Sequence, residues 1–266
     1  MTKRCSTVPT VSEAVFDQEM DSKGNSKLGK VTSWFDKPDK YLTRRRFDIQ
    51  IRSETVQEFT KGREFDRVLD IGCGDGSLSI PLLSKCRKLT LLDVSNSMLA
   101  IARSRISENR VMDVDLRNSD FNTANLDDES YDLILCIGVL AHVDSPSNVI
   151  AQMARIAKPG ALLILEFTDS FHPWGIPDTI YRWILKMFRP MPFDVNRLRH
   201  RDINELCREN RLLPINRYRY GIPPAGTHWF ADQAQMYSLT RYLFGQSNDN
   251  RNGWMGNEFI YCLEKH

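Results

Sequence analysis

"VLDIGCGDG", from Val68 to Gly76, decides the fold. It opens on an apolar run, closes on three glycines, and sets Asp70 and Asp75 on either side of the turn. A strand that runs into a glycine-rich turn is the start of an open α/β sheet, in which this turn faces the ligand crevice. The alternation continues outward. A short helix is expected from Leu78 to Leu83, a second strand from Leu89 to Val94, and a helix with Met98, Leu99, Ala102 and Ile106 as its buried stripe. Val111 to Leu116 reads as a third strand, and "YDLILCI" (Tyr131 to Ile137) is the unbroken apolar run of a strand buried on both faces. Ser145-Pro146 opens the next helix, whose buried face is Val149, Ile150, Met153 and Ile156; Lys158-Pro159-Gly160 stops it, and Ala161 to Phe167 returns as a fifth strand.

The expected fold is α/β: a doubly wound, seven-stranded, mostly parallel sheet in a single domain over residues 31–266. Residues 1–30 mix Ser, Lys, Gly and acids with few apolar anchors and read as a flexible tail. Residues 31–64 carry loosely helical apolar spacing and read as an N-terminal helical lid ahead of the ligand-binding core, residues 65–168. The alternation breaks at 169–200, a proline-rich and densely apolar cap insertion. It resumes with a helix at Asp202 to Asn210, a strand at Pro214 to Tyr220, a second irregular insertion at 223–244, and a last strand at Glu258 to Leu263.

Thirty-six Lys and Arg against 34 Asp and Glu leave a net charge of +2, too little to argue for nucleic acid or a membrane surface. The six cysteines include no C-x-x-C pair, so neither zinc nor a disulfide framework is expected. With no long apolar span and no apolar leader, the expected location is cytoplasmic.

Three ligand classes use such a turn. A P-loop is excluded because no Gly-Lys-Ser/Thr follows. A dinucleotide stays open, since Gly72 and Gly74 supply G-x-G and Asp93 stands where a ribose-binding acid is wanted; but Ser77 replaces the third glycine, and Asp70 and Asp75 would face a pyrophosphate. A ligand bearing positive charge fits the acidic turn better. S-adenosylmethionine carries an ammonium and a sulfonium and no phosphate.

At this point the chain resembles the class I S-adenosylmethionine-dependent methyltransferases of the small-molecule type, over roughly Phe65 to Phe167. The resemblance rests on "VLDIGCGDGSLS", on "LTLLDVSNSML", on "NSDF" after the third strand, and on "YDLILCIGVLAHV" followed by "ARIAKPGALLILEF". It implies that Asp70, Gly72, Cys73 and Gly74 line the methionine part of the cofactor and that Asp93 binds the ribose hydroxyls. Val94 and Met98 would then lie against the adenine, Asp120 would accept from its amino group, and Phe121 and Ile137 would stand nearby. Helix-cap and turn roles for Asp93 and Asp120, and simple packing for Cys73 and Met98, are the competing readings.

Displacement at a sulfonium requires alignment and exclusion of water, and no metal. A hydroxyl or amine acceptor must also lose a proton, for which histidine is the natural base. His142, at the carboxyl edge of the fourth strand, is the first candidate, and His172 with Asp169 the second; a packing histidine and a turn-forming aspartate are the plainer readings. His228 ranks third. Trp174, Tyr181, Trp183, Phe188 and Phe193 suit a hydrophobic or aromatic small acceptor, or the core of the cap itself. Arg44-Arg45-Arg46 and Arg197, Arg199 and Arg201 read as solvated faces, or as binders of an acceptor phosphate or carboxylate. The expected activity is methyl transfer to the oxygen of a small organic acceptor; transfer to nitrogen or carbon of a small molecule or a lipid, a nicotinamide-dependent oxidoreductase and a non-catalytic cofactor-binding module are the alternatives. The oligomeric state is not legible.

Overall fold

The computed structural model describes residues 27–36, 42, 46–107, 113–172, 195–221 and 231–266. Two helices, α1 (Lys27–Phe35) and α2 (Arg46–Phe59), precede β1 (Phe65–Ile71). Then follow β2 (Cys86–Asp93), α3 (Asn96–Ser107), β3 (Asp113–Asn118), β4 (Tyr131–Cys136), α4 (Pro146–Ile156) and β5 (Ala157–Thr168). The chain ends with α5 (His200–Glu209), β6 (Leu212–Tyr220), α6 (Gln233–Phe244) and β7 (Glu258–Lys265). The seven strands stand in the order β3-β2-β1-β4-β5-β7-β6, and β7 runs antiparallel to both its neighbours. The order reverses between β1 and β4, so the switch-point crevice lies outside the carboxyl ends of those two strands.

Successive strand residues part to opposite faces, as the pleat requires. Val68, Leu89, Leu91, Leu133 and Leu135 join one apolar cluster with Ile51 and Phe47 of α2 and Phe244 of α6. Leu69, Ile71, Leu92, Ile134 and Cys136 join the other, with Val149, Ile150 and Met153 of α4 and Ile203 of α5. Both faces are covered, which is why these strands read as continuous apolar runs. Helix α4 starts as its sequence implies: Pro146 takes the first turn and Ser145 Oγ accepts from Asn148 N at 3.3 Å.

Five expectations need correction. The helix expected at Leu78 to Leu83 is a 3₁₀ turn over Ile80–Lys85, since Cys86 already enters β2 and leaves no room for a longer helix. Lys27 to Lys30, assigned to the tail, are the first turn of α1. Lys158-Pro159-Gly160 lies inside β5, where the register against β4 shifts between Tyr131 and Leu133 and absorbs the extra residues. The insertion at 223–244 is not irregular throughout, because α6 occupies its second half behind a capping box: Asp232 Oδ1 accepts from Gln235 N at 2.8 Å, and Gln235 Oε1 accepts from Asp232 N at 2.9 Å. The strands β2, β6 and β7 also extend beyond their expected bounds at Leu89, Pro214 and Leu263. The start of the third strand at Val111, the cap helix with Trp174, Tyr181, Trp183, Phe188 and Phe193, and His228 lie outside the described residues, as do Arg44 and Arg45.

At the amino edge of the sheet one carboxylate ties three strands. Asp132 of β4 accepts from Arg67 N (2.8 Å) and Asp66 N (3.1 Å) of β1, and from Lys158 Nζ of β5 at 2.8 Å. Partial burial works against its charge, yet Lys158 and the two amides hold its carboxyl below the usual range. Asp132→Ala is expected to cost roughly 1–2 kcal/mol in urea unfolding at neutral pH, because it strands those donors. A lowered folded pKa means that this contribution is present above the ordinary carboxylate range and is lost as pH falls through the lowered value. The gap between wild type and variant should therefore close in acid.

Candidate active site

The turn after β1 owes its shape to glycine. Gly72, Gly74 and Gly76 have φ of +65°, +53° and +76°, a region that side chains disfavour. A Cβ on Gly72 would lie 2.5 Å from Val139 Cγ2, so the loop leaving β4 rests directly on this turn. A Cβ on Gly74 would meet nothing within 4 Å, so its backbone borders open space.

Asp93, at the end of β2, closes one wall. Its Oδ2 accepts from Gly74 N and its Oδ1 from Ser95 N, each at 2.8 Å. The helix cap is Ser95, whose Oγ accepts from Met98 N at 3.2 Å, and the capping role proposed for Asp93 thus falls to its neighbour. Burial pushes the Asp93 carboxyl up against the pull of these amides, and Asp36 adds to the rise. Asp70 is almost wholly buried and accepts from Ser79 Oγ at 2.6 Å. Burial is the main reason its carboxyl is pushed up to about 7, with Asp93 and Asp75 contributing. Asp75 is not the open charge that the sequence suggests. Arg105 of α3 reaches back to it, Nη1 to Oδ2 at 2.5 Å, and Ser77 donates to it through both N and Oγ. The negative character of the turn therefore rests on Asp93 and on the ionised fraction of Asp70.

The remaining positions divide. Val94 is half-buried beside Asp93, and Met98 is buried outside both apolar clusters. Cys73 and Ile137 pack in the first cluster and Phe121 in the second. Asp120 holds a turn, its Oδ1 accepting from Asn122 N at 3.1 Å. The described cysteines are all buried free thiols.

His142 is half-buried in the loop after β4, where its N donates to Val139 O at 2.8 Å. The Phe35 ring meets its imidazole edge-on at 5.5 Å. Sequence reading missed what fixes this loop. Asn196 Nδ2 donates to Leu140 O (3.0 Å) and Val143 O (2.6 Å), and its backbone N donates to Ala141 O at 2.8 Å. Lys27 Nζ of α1 donates to Val143 O (2.8 Å) and Asn196 Oδ1 (3.0 Å). At the other end of α1, Asp36 Oδ1 accepts from Ser95 Oγ at 2.7 Å. Helix α1 thus runs from the His142 loop to the Asp93 loop, across the mouth of the crevice. Its weak apolar pattern gave no signal of that path.

His172 is placed elsewhere, in the loop after β5, against the short turn Gly253–Met255 that precedes β7. Its Nε2 lies 3.0 Å from Trp254 O and 3.3 Å from Arg219 Nη2, and burial together with that guanidinium holds its pKa down. Asp169 Oδ1 accepts from Phe171 N at 3.0 Å, the turn-forming geometry. Arg197 and Arg199 stand over the Phe171 ring, with guanidinium carbons 5.2 and 3.9 Å from its centre.

Residues 69–165 match a family model described as a methyltransferase domain. The ubiquinone biosynthesis O-methyltransferase of Hahella chejuensis is 40% identical over 101 residues, which is 38% of this chain and only 42% of that protein. Its namesake in Pasteurella multocida is 24% identical over 225 residues, or 80% of this chain and 93% of that one. Among solved structures, a Thermotoga maritima S-adenosylmethionine-dependent methyltransferase, titled a possible histamine N-methyltransferase, superposes with a TM-score of 0.64 at 17% identity, covering 91% of this chain and all of that one. The glycine turn, the strand order and the family match converge on the same stretch: residues 69–165 match a methyltransferase domain, and the sheet around them has the fold of S-adenosylmethionine-dependent methyltransferases.

Proposed function

We propose that the protein transfers the methyl group of S-adenosylmethionine to the oxygen of a small organic acceptor, with His142 as the base. The observation that carries this reading is the crevice itself, where an open backbone at Gly74, the carboxylates of Asp93 and Asp70, and the His142 loop resting on Gly72 meet at one switch point. That donor set fits the cofactor: backbone that can be approached closely, and acids for the ribose hydroxyls and the ammonium. When bound, S-adenosylmethionine supplies a methyl group on a cationic leaving group. Asp93 would hold the ribose and Asp70, Gly72 and Gly74 the methionine part, with Val94 and Met98 beside the adenine. Phe121, Cys73 and Ile137 support that pocket from the core. Asp120 retains the adenine edge as its proposed partner through the oxygen not spent on Asn122.

His142 is preferred to His172 because its loop touches the glycine turn. The relatives named for oxygen methylation support the choice of atom. Of the lid expected over 31–64, α1 bridges the two loops while α2 packs in the core, so α1 and a cap drawn from 169–200 would cover the acceptor. Among the described residues no helix is long and apolar enough to cross a membrane, and a cytoplasmic site of action is part of the same proposal.

S-adenosylhomocysteine should raise the melting temperature and NAD should not; stabilisation by NAD alone would return the oxidoreductase reading. His142→Ala is expected to lower kcat about a hundredfold or more with cofactor affinity within about twofold of wild type. Full turnover in that variant would remove His142 from the base role, and cofactor binding without methyl loss across all acceptors would favour a binding module.

A further inference from the structure

The arginines that stand out in the sequence from Arg197 onward lie at the carboxyl edge of the sheet. Residues 196–199 start at the His142 loop, where Asn196 N donates to Ala141 O at 2.8 Å. They run on to the residues after β5, where Leu198 bridges to Asp169 and its O accepts from Ser170 N at 3.0 Å. Arg197 and Arg199 turn onto the same ring, that of Phe171, which is 45% exposed. Strand β6 runs parallel to β5, since each is antiparallel to β7, and so brings Arg219 near its end to the same edge. That guanidinium lies over the Phe259 ring at 4.2 Å, its Nη2 donates to Gly256 O at 2.9 Å, and His172, the residue after Phe171, stands 3.3 Å from it. Arg217, two residues along β6 on the same face, confronts Arg219 as a like charge.

None of these four arginines makes an ion pair among the described residues. Asp169 is the carboxylate that acts on Arg219, His172 and His200, and one of its oxygens is spent on Phe171 N. Burial first and Arg219 next hold both histidines below their ordinary value. The group is open to solvent. Arg197, Arg199 and Arg217 are exposed, and Arg219 Nη1 carries no hydrogen bond among the described residues and is not sealed off as its Nε is. Two guanidiniums on one ring each gain from the ring and repel each other. An oxyanion set between them turns that repulsion into two attractions and takes up their forked N–H donors. We propose that Arg197, Arg199 and Arg219 form an oxyanion subsite that anchors a carboxylate or phosphate group of the acceptor beside the methyl-transfer crevice. The inference rests on the methyltransferase reading of that crevice, and it narrows the acceptor to an anionic small molecule.

Calorimetry on the complex of the full chain with S-adenosylhomocysteine, at fixed ionic strength, tests this with isosteric pairs that differ in charge: 4-hydroxyphenylacetate against 4-hydroxyphenylacetamide, and 3-(4-hydroxyphenyl)propionate against its amide. At least one anion should bind about tenfold or more tighter than its amide. Arg199→Met and, separately, Arg219→Met keep an apolar stem over the ring and should each abolish most of that preference, with S-adenosylhomocysteine affinity as in wild type. That affinity also verifies folding, and either variant suffices if the other fails to fold. Arg199→Lys keeps the charge without the fork and should restore only part of the preference. Arg201→Met removes a charge of the same run that stands over neither ring, and should leave the preference whole. Phenyl phosphate in competition separates the two oxyanions: tighter binding than the carboxylates assigns a phosphate ester, weaker binding a carboxylic acid. Absence of any anion preference, or a preference that Arg201→Met lowers as far as Arg199→Met does, overturns the subsite and leaves a solvated basic face. Failure of S-adenosylhomocysteine itself to bind would instead overturn the reading of the crevice, and the subsite with it.

Discussion

Gly72→Ala is expected to destabilise the domain by about 2–4 kcal/mol and to erase cofactor binding. Two costs add at this position. The backbone has φ +65°, where an L-residue pays roughly 1–2 kcal/mol. The new methyl would also lie 2.5 Å from Val139 Cγ2, on a β-branched side chain that has little rotamer freedom to retreat. Relief would push the β4 loop outward and carry His142 with it, since His142 N is bonded to Val139 O. Gly74→Ala isolates the other half of the argument. Its φ of +53° imposes a similar backbone cost, but nothing lies within 4 Å of the added methyl, so stability should fall by only about 1–2 kcal/mol. That methyl enters the open space beside Asp93, so S-adenosylhomocysteine affinity should drop by about tenfold or more in a protein that still folds. Pairing Gly72→Ala with Val139→Ala should recover part of the melting temperature. Equal melting temperatures for Gly72→Ala and wild type would remove the contact between the β1 and β4 loops from the account.

The parallel core was legible because burial on both faces leaves an unmistakable trace: Leu133, Ile134, Leu135 and Cys136 are all fully buried, and no amphipathic helix needs such a run. The place of Asp93 was legible for a similar reason, because the buried run Leu89 to Leu92 ends at it and β2 closes there. What was illegible depends on long-range closure. Arg105 sits in a helix whose stripe of Met98, Leu99 and Ala102 was read correctly, yet its reach to Asp75, 30 residues back, follows only from the packing of α3 beside the turn. Asn196 lies 53 residues from Val143 and Lys27 lies 116 from it, and neither spacing is periodic. Helix α6 was a local feature missed. Its capping box at Asp232 and Gln235 and its buried Met236, Thr240 and Phe244 at four-residue spacing were present in the sequence, obscured by the prolines that precede them. Glu166 and Glu258 illustrate the harder case, since each reads as an ordinary charge near a strand end, and only β7 running antiparallel to β5 brings them together.

Affinity for S-adenosylmethionine is expected to rise about tenfold between pH ~6 and ~8, and Asp70→Asn is expected to flatten that rise. The reason is the carboxyl that burial has pushed up to about 7, so that the apo turn is partly protonated at neutrality. A cationic ligand binds the ionised form and must displace the proton, which costs more as pH falls. The sign for folding is opposite. A group whose folded pKa is raised gives stability that is full below its ordinary carboxylate value and is lost as pH rises through about 7. The apo protein should therefore melt lower at the alkaline end of this range, where S-adenosylmethionine binds best, and Asp70→Asn should raise the apo melting temperature there while weakening the cofactor. Asp93→Ala separates the two acids. Its loss removes the acceptor proposed for the ribose and leaves Gly74 N and Ser95 N without their partner, so affinity should fall by roughly tenfold to a hundredfold at every pH. Because Asp93 also helps to hold the Asp70 carboxyl high, the midpoint of the remaining pH dependence should move down in that variant. A midpoint that stays at wild type in Asp93→Ala, or a slope that persists in Asp70→Asn, would show that the proton is held by some other group and that the acidity of the turn does not select the ligand.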